Sequence, residues 1–219
     1  MVEIYDAHEQ GEIVKKWLQQ NGSAIVMGLV LAFGGLFGFK QWNIWQDTKG
    51  QKSYAEFERM NTQLTGGQLD GAMDNFQILQ DDYAKTPYAS LAALQMARAR
   101  IESKQPELAL NYLRYVMENG RPEGLKVIAR ERLARLLLDQ GQAEEALTTI
   151  DGVTELSGYE ARYAETRGDI LVVLGRKDEA IKAYQQALEV LEEGLGDRYL
   201  LVLKLESLGV MEDAEASAS

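Results

Sequence analysis

The sequence predicts an all-α protein, in which one N-terminal transmembrane helix is followed by a domain of repeated helix pairs. Three observations lead to this prediction. No charged side chain occurs between Trp17 and Phe39. The remainder is rich in Ala, Leu, Glu, Gln and Arg, has three prolines in all, and shows no long alternating strand pattern. Apolar triplets recur along it at intervals of 34 to 37 residues.

The uncharged segment is long enough to cross a bilayer. A helix over residues 17–39 extends about 35 Å, and the hydrocarbon core is about 30 Å thick. Trp17, Trp42 and Trp45 flank the segment, where amphipathic rings suit the headgroup region. No small-residue cleavage site follows, since the next residues are Lys40 and Gln41. We therefore predict an uncleaved anchor over residues 17–45 rather than a signal peptide or a buried core helix.

The lysines near the anchor do not decide its orientation. Lys15 and Lys16 precede the apolar segment, while Lys40, Lys49 and Lys52 follow it. The positive-inside rule weighs such nearby charges, and here they almost balance. Both orientations stay open on this evidence.

The negative charge lies almost entirely beyond the anchor. Residues 1–52 carry five acidic and five basic side chains, so the formal net charge of −11 belongs to residues 53–219. Such an acidic surface argues against binding to nucleic acid or to anionic lipid. The chain has no cysteine, which excludes disulfides and thiolate ligands.

Four regions follow from these patterns. They are an N-terminal tail over residues 1–16, the anchor over 17–45, a helical domain over 46–209 with a polar exit at 46–51, and a small, acidic, disordered tail over 210–219. Helix breakers divide the helical domain into segments of about 12 residues, which is typical of antiparallel helix pairs. The breakers are Thr65-Gly66-Gly67, Thr86-Pro87, Lys104-Gln105-Pro106, Asn119-Gly120-Arg121-Pro122, Gln140-Gly141, Ser157-Gly158, Leu174-Gly175 and Glu193-Gly194.

The repeated unit is clearest over residues 161–193. Its second helix carries Ala180, Tyr184 and Ala187 on one stripe, and its first helix carries the small Gly168. This arrangement resembles the tetratricopeptide pattern, in which a small residue lets paired helices approach each other. Corresponding triplets precede it, namely Ala146, Ile150 and Val153; Ala109, Leu113 and Val116; and Ala72, Phe76 and Leu79, with Ala134 and Ala97 at the small position. The helix over 197–208 would cap the stack. A plain helical bundle is the alternative interpretation of the same stripes.

The first helix of each pair lines the concave groove in tetratricopeptide arrays. On this pattern we predict a partner-binding groove that is apolar and aromatic at its start and charged at its end. Its predicted residues are Tyr54, Phe57, Leu64, Leu91, Leu94, Arg98, Ile101, Ile128, Glu131, Arg135, Arg162, Glu165 and Asp169. Burial between repeats is the alternative for each apolar member.

A second contact surface is predicted within the anchor. Small residues at spacings of four permit close packing against another membrane helix, although glycine is also common in membrane helices for other reasons. These residues are Ala24, Gly28, Ala32, Gly34 and Gly38.

The sequence offers no catalytic, cofactor-binding or metal-binding pattern, and we predict a protein that is not an enzyme. The single histidine, His8, has no second ligand near it. No phosphate-binding glycine loop and no nucleophile elbow occur. The acidic pairs Asp81-Asp82, Glu144-Glu145 and Glu192-Glu193 fit solvated helix faces better than acid–base catalysis.

Five segments, in order along nearly the whole chain, resemble the YfgM family, the ancillary subunits of the bacterial SecYEG translocon. They are EIYDAHEQGEIVKKWLQQNG, FGFKQWNIWQ, PYASLAALQMARA, ERLARLLLDQGQAEEAL and AETRGDILVVLGRKDEA. The resemblance implies a single-pass protein of the inner membrane with a cytoplasmic N-terminus and a periplasmic repeat domain. It also implies partners: the SecYEG translocon, a membrane-anchored periplasmic chaperone of the prolyl-isomerase-like type, and exported polypeptides. A scaffold for another envelope assembly, such as outer-membrane biogenesis or division, remains the alternative function.

Overall fold

The computed structural model describes residues 7–153, 155–156, 158–191 and 196–210. The chain divides into two compact units, Met1–Gln51 and Lys52–Ser219. Every described element is helical, which confirms the all-α prediction. Residues 1–6 of the predicted N-terminal tail and residues 211–219 of the predicted C-terminal tail lie outside the described residues.

Helix α1 spans Ala7–Thr65. No single described helix meets the length and hydropathy of a membrane span, but the segments Val14–Ala24 and Val26–Thr65 meet them together, with a bend of 50° between them.

Helix α1 extends beyond the predicted anchor on both sides. The helix begins at Ala7, inside the segment predicted to be a tail. It also continues through residues 46–51, which we expected to form a polar exit. No proline interrupts this stretch, and the Thr48 hydroxyl donates to the carbonyl of Ile44 at 2.8 Å, so its polar side chains are compatible with a helix. The boundary between the two units falls after Gln51.

Eight shorter helices follow in the second unit. They are α2 (Leu69–Asp82), α3 (Pro87–Glu102), α4 (Pro106–Asn119), α5 (Glu123–Asp139), α6 (Ala143–Asp151), α7 (Glu160–Val173), α8 (Lys177–Val190) and α9 (Arg198–Ser207). The three prolines all lie at helix starts, where a missing N–H costs nothing. The predicted cap is present as α9, whose N-cap Asp197 accepts a hydrogen bond from the backbone of Leu200 at 3.1 Å.

Four helix pairs stack in order: the end of α1 with α2, α3 with α4, α5 with α6, and α7 with α8. The predicted triplets of the second helices are buried, except for Val153, which is half-buried. Ala97 and Ala134 are also buried, at the predicted small position of the first helices. A Cβ added to Gly168 would lie 2.4 Å from Cε1 of Tyr184. The ring therefore occupies the space that the glycine leaves, as the repeat pattern requires.

The turn inside each pair has one repeated geometry. A residue with positive φ ends the first helix, and the next backbone N–H donates to a carbonyl five residues earlier. The positive-φ residues are Gly67 (φ 72°), Lys104 (57°), Gly141 (76°) and Gly175 (72°). The hydrogen bonds join Gln68 to Gln63, Gln105 to Arg100, Gln142 to Leu137, and Arg176 to Leu171, at 2.8–2.9 Å. These bonds fix which residues are equivalent among the four repeats.

Candidate partner-binding surface

The first helices of successive repeats form one continuous surface. Helix α5 contacts both α3 and α7, and aromatic residues of α1 contact α3. In stacked helix pairs such neighbouring first helices form the concave side. The predicted groove residues lie on these four helices.

A cleft of about 430 Å³ separates α3 from α5. We call it the α3–α5 cleft, and its apolar lining includes Leu94, Ile101 and Leu136. The remaining lining residues are Ala97, Arg98, Glu102, Leu113, Arg132, Arg135 and Asp139. Four predicted residues therefore meet in this cleft: Leu94, Arg98, Ile101 and Arg135.

A second cleft of about 380 Å³ lies between the end of α1 and α3. It is lined by the predicted Leu64 together with Asn61, Thr65, Gln95 and Ala99, and it shares Arg98 and Glu102 with the α3–α5 cleft. Arg98 Nε donates to Glu102 Oε1 at 2.7 Å, so this ion pair lies on the boundary of both clefts. The two clefts thus form adjoining parts of one binding surface.

The start of the surface is aromatic. The rings of Tyr54 and Phe57 lie 5.5 Å and 5.7 Å from the ring of Tyr88. Tyr54 remains 49% exposed, whereas Phe57, Tyr88 and Leu91 are half-buried. Sequence reasoning missed Tyr88, although its place on α3, three residues before Leu91, could have indicated it.

The charged end of the predicted groove is occupied by pairs within the chain. Glu131 is 3% exposed, and its Oε1 forms an ion pair with Arg135 Nε at 2.6 Å. Arg135 Nε also donates to the hydroxyl of Thr166 at 3.1 Å. Of the remaining predicted residues, Ile128 is half-buried on α5.

Lys204 of the capping helix closes the last repeat. Its Nζ lies 2.7 Å from Glu165 Oε1 and 2.7 Å from Asp169 Oδ1. Asp169 also accepts from the hydroxyl of Tyr184 at 2.8 Å. Burial and the neighbouring Asp169 carboxylate raise the pKa of Tyr184. Glu165 and Asp169 are therefore ion-paired rather than free to bind a partner, and sequence reasoning missed Lys204.

Arg162 borders a smaller cleft of about 210 Å³ among α5, α7 and α9. This cleft also contains Arg135, Glu165, Asp197 and Leu200. The structure thus divides the predicted groove into open clefts over α1, α3 and α5 and a more closed part beside α9.

Residues missed in the α3–α5 cleft change its predicted chemistry. Arg132 joins Arg98 and Arg135, so three guanidinium groups face two carboxylates, Glu102 and Asp139. Arg132 and Leu136 lie one helical turn apart on α5, and this spacing was the available signal for them. Within the described residues, no cluster of three His, Asp or Glu side chains is arranged to hold a metal ion.

The predicted contact residues of the anchor all lie on α1. Ala24, Gly28, Ala32, Gly34 and Gly38 are exposed, and a Cβ added to any of these three glycines would have no described atom within 4 Å. The ridge is therefore available for a neighbouring helix.

Comparison with solved structures identifies the fold. The crystal structure of MamA protein matches with a TM-score of 0.56 at 16% identity, covering 73% of this chain and 81% of that chain. The structure of YrrB, described as a TPR protein with an unusual peptide-binding site, matches with a TM-score of 0.51 at 18% identity, covering 90% and 97%. At these identities the likeness concerns the fold alone.

Sequence comparison identifies relatives at higher identity. Proteins named ancillary SecYEG translocon subunit are 32% identical in Aggregatibacter actinomycetemcomitans, covering 93% of this chain and 99% of the relative, and 28% identical in Escherichia coli K12, covering 86% and 90%. A third, from Neisseria gonorrhoeae, is 26% identical over 91% and 97%. The model of the tetratricopeptide repeat-like domain matches residues 15–210. The chain therefore belongs to the tetratricopeptide repeat-like domain family and, within it, groups with the ancillary SecYEG translocon subunits.

Proposed function

We propose that this chain is a non-catalytic, membrane-anchored subunit associated with the SecYEG translocon, and that it binds polypeptides through the clefts of its first helices. The relatives named above support the translocon association. The proposed binding function rests on the α3–α5 cleft. It places apolar side chains beside guanidinium groups, and this combination suits an extended segment with apolar and acidic residues.

The charge balance of the cleft is unusual for this chain. The full sequence carries a net charge of −11, yet the α3–α5 cleft contains three arginines and two acidic residues. Because Arg98 is paired with Glu102 and Arg135 with Glu131, a carboxylate of a bound segment would meet a more balanced charge here than over most of the remaining acidic surface. The proposed partners are exported polypeptides and a membrane-anchored periplasmic chaperone of the prolyl-isomerase-like type.

Residues 17–45 serve as the anchor in this proposal, with the N-terminus in the cytoplasm and the repeat domain in the periplasm. The exposure of large apolar side chains supports this role, since Leu31 is 69% exposed and Phe37 is 72% exposed. Side chains of this kind are stable in lipid and costly in water. The ridge of Ala24, Gly28, Ala32, Gly34 and Gly38 would face a translocon helix.

Site-specific photocrosslinking tests the binding surface. A benzoylphenylalanine at Ile101, in the α3–α5 cleft, is compared with one at Ile78 on α2, outside this cleft; the two side chains are 46% and 40% exposed. We expect pulse-labelled exported chains to crosslink at position 101 during translocation and not at position 78. Equal crosslinking at both positions would contradict the assignment of the cleft.

Two further measurements test the cellular setting. Translocon subunits should copurify with the full chain from membranes solubilised in mild detergent, and their absence would argue against the association. A reporter that is active only in the periplasm, fused after Ser219, should be active; activity of a cytoplasmic reporter there would contradict the orientation. Capture of a single folded partner at position 101, without exported chains, would favour the scaffold function instead.

A further inference from the structure

A cleft on the opposite side of the helix pairs is separate from the surface proposed above. It lies between the second helices α2 and α4, has a volume of about 430 Å³, and we call it the α2–α4 cleft. Phe76 is one of its lining residues, and its ring lies 5.2 Å from the ring of Tyr112 and 6.1 Å from the ring of Tyr115, both in edge-on geometry. The other lining residues are Met73, Gln77, Gln80, Asp81, Arg100, Leu108 and Asn111.

Arg100 stands where the later repeats carry leucine. The turn hydrogen bonds make Gln63, Arg100, Leu137 and Leu171 equivalent, and both leucines are fully buried. Within the described residues, Arg100 Nε and Gln63 Oε1 are buried without a hydrogen-bond partner. The other donors of Arg100 reach Gln105 at 2.8 Å and the weak acceptor Sδ of Met73 at 3.5 Å. A buried donor without an acceptor costs stability, so leucine would serve the fold better at this position.

Two apolar side chains that line the cleft, Met73 and Leu108, also differ from the equivalent residues of the later repeats. Met73 is 46% exposed, whereas its equivalents Leu110 and Leu147 are 7% and 8% exposed. Leu108 is 38% exposed, and the equivalent residues of the next two repeats are the charged Glu145 and Glu179. The cleft therefore collects exposed apolar groups and an unsatisfied cationic donor at positions where the later repeats are regular.

The lining defines what would fit. Phe76, Tyr112 and Tyr115 offer an apolar floor for a large side chain. Gln77, Gln80 and Asn111 can both donate to and accept from a peptide backbone. At Arg100 Nη2, whose acceptor is the weak Sδ of Met73 at 3.5 Å, a carboxylate would form a stronger, charge-assisted hydrogen bond.

We propose that the α2–α4 cleft binds a short extended segment of another polypeptide, in which an apolar or aromatic side chain lies close to a carboxylate. The cleft is a second binding site, independent of the first-helix surface. Arg100 selects the carboxylate, Phe76 contacts the apolar side chain, and Asp81 disfavours a second acidic residue nearby.

Defined peptides test this site on the full chain in detergent micelles. The probes are fluorescein-labelled heptapeptides, Ser-Gly-Phe-Ser-Asp-Gly-Ser and its variants with Asn or Lys for Asp and with Ala for Phe. We expect the Asp peptide to bind about tenfold more tightly than the Lys peptide in fluorescence anisotropy, as the contribution of one charged hydrogen bond suggests. Replacing Phe by Ala should weaken binding by a similar factor.

Variants of the protein locate the site. Met73→Asp should weaken binding about tenfold, while Ile78→Asp, on the same helix with similar exposure and outside the cleft, should change it less than twofold. Arg100→Leu restores the residue of the later repeats. It should remove the preference for Asp over Lys while raising the midpoint of urea unfolding, so loss of binding cannot be ascribed to misfolding.

Several outcomes would overturn the proposal. One is the absence of binding up to about 1 mM peptide. Others are equal affinity for all four peptides, or binding that Leu94→Asp removes and Met73→Asp does not. Phosphatidylglycerol vesicles that bind the full chain through Met73 and displace the peptide would identify a lipid surface instead.

Discussion

Four residues with positive φ close the turns within the repeats, and Lys104 is the one that is not glycine. A side chain in the left-handed region strains the backbone by about 1 kcal/mol relative to glycine. The three glycines could be assigned to turns from the sequence because glycine is common at such positions. Lys104 could not be identified as left-handed, since lysine carries no such signal.

We expect Lys104→Gly to stabilise the repeat domain by about 1 kcal/mol and Gly141→Ala to destabilise it by a similar amount. Urea unfolding followed by circular dichroism measures both changes. Lys85→Gly is the control, because Lys85 is an exposed turn residue without positive φ. A stabilisation by Lys85→Gly as large as that by Lys104→Gly would contradict the explanation.

Two buried tyrosines make the stability of the domain sensitive to alkaline pH. The hydroxyl of Tyr163 donates to the carbonyl of Val127 at 2.7 Å, and that of Tyr184 donates to Asp169 at 2.8 Å. Burial is the largest cause that raises the pKa of each hydroxyl, and for Tyr184 the Asp169 carboxylate adds to it. The folded state therefore favours the neutral phenol more strongly than the unfolded chain does.

The sign of the pH dependence follows from the raised pKa. The stabilisation is complete below the unfolded pKa of about 10 and is lost as the pH rises above it towards the folded value. We expect the free energy of unfolding to fall between pH 9 and pH 11, measured by urea titration. Tyr184→Phe should reduce this fall, whereas Tyr199→Phe should not, because Tyr199 is 71% exposed. The same pH profile for both variants would exclude Tyr184 as a source.

At the scale of elements, α9 does more than cover the end of the stack. Its apolar side chains Leu201 and Leu205 are buried, and Lys204 binds the carboxylates of Glu165 and Asp169 on α7. The periodicity of residues 197–208 predicted the helix and its capping place. It could not predict the ion pairs, because they join residues 35 and 39 positions apart whose proximity depends on packing.

Lys204→Met tests this contact by keeping the aliphatic length and removing the charge. Asp169 would then be left half-buried without Lys204, and Glu165 would keep only Arg135, at 4.0 Å, so we expect a destabilisation of about 1–3 kcal/mol in urea unfolding. Lys204→Arg, which keeps the charge, should lose less. Equal stability of the Met variant and the native chain would mean that the ion pairs contribute nothing net.

At the scale of the whole molecule, the hydrophobic core belongs to the second unit. Its buried apolar residues run from Met60 to Leu205, all beyond the boundary after Gln51. The sequence predicted a division between residues 45 and 46 from two long-range patterns, the uncharged segment and the repeat periodicity. The structure instead divides the chain after Gln51. The sequence could not show this difference, because composition alone does not distinguish a polar stretch of helix at residues 46–51 from a linker.

A chain consisting of residues 52–219 should fold without the first unit, because it keeps the entire described core. We expect a helical circular dichroism spectrum and cooperative urea unfolding of the soluble fragment. Repeat proteins can unfold by steps, so the transition need not be two-state. Aggregation of the fragment, or a spectrum of a disordered chain, would show that residues before 52 are needed for folding.

The groove itself was predictable only in part. Helical register placed Leu94, Arg98, Ile101 and Arg135 on one surface, and the structure brings them into one cleft. Helical register alone could not distinguish residues that are accessible to a partner from residues whose charges are already paired within the chain. For this reason the prediction included Glu165 and Asp169, which bind Lys204, and omitted Arg132, which lines the cleft.

The common hydrogen bond of the four turns has a consequence for how such a chain can change. Each helix pair ends its first helix in the same way and starts its second in the same register, so each is a cassette that meets its neighbours through equivalent positions. Duplication of one cassette would lengthen the row of first helices without requiring a new kind of core. Differences among cassettes, such as arginine or leucine at one shared position, then allow a single ancestral unit to be specialised locally for a partner or for stability.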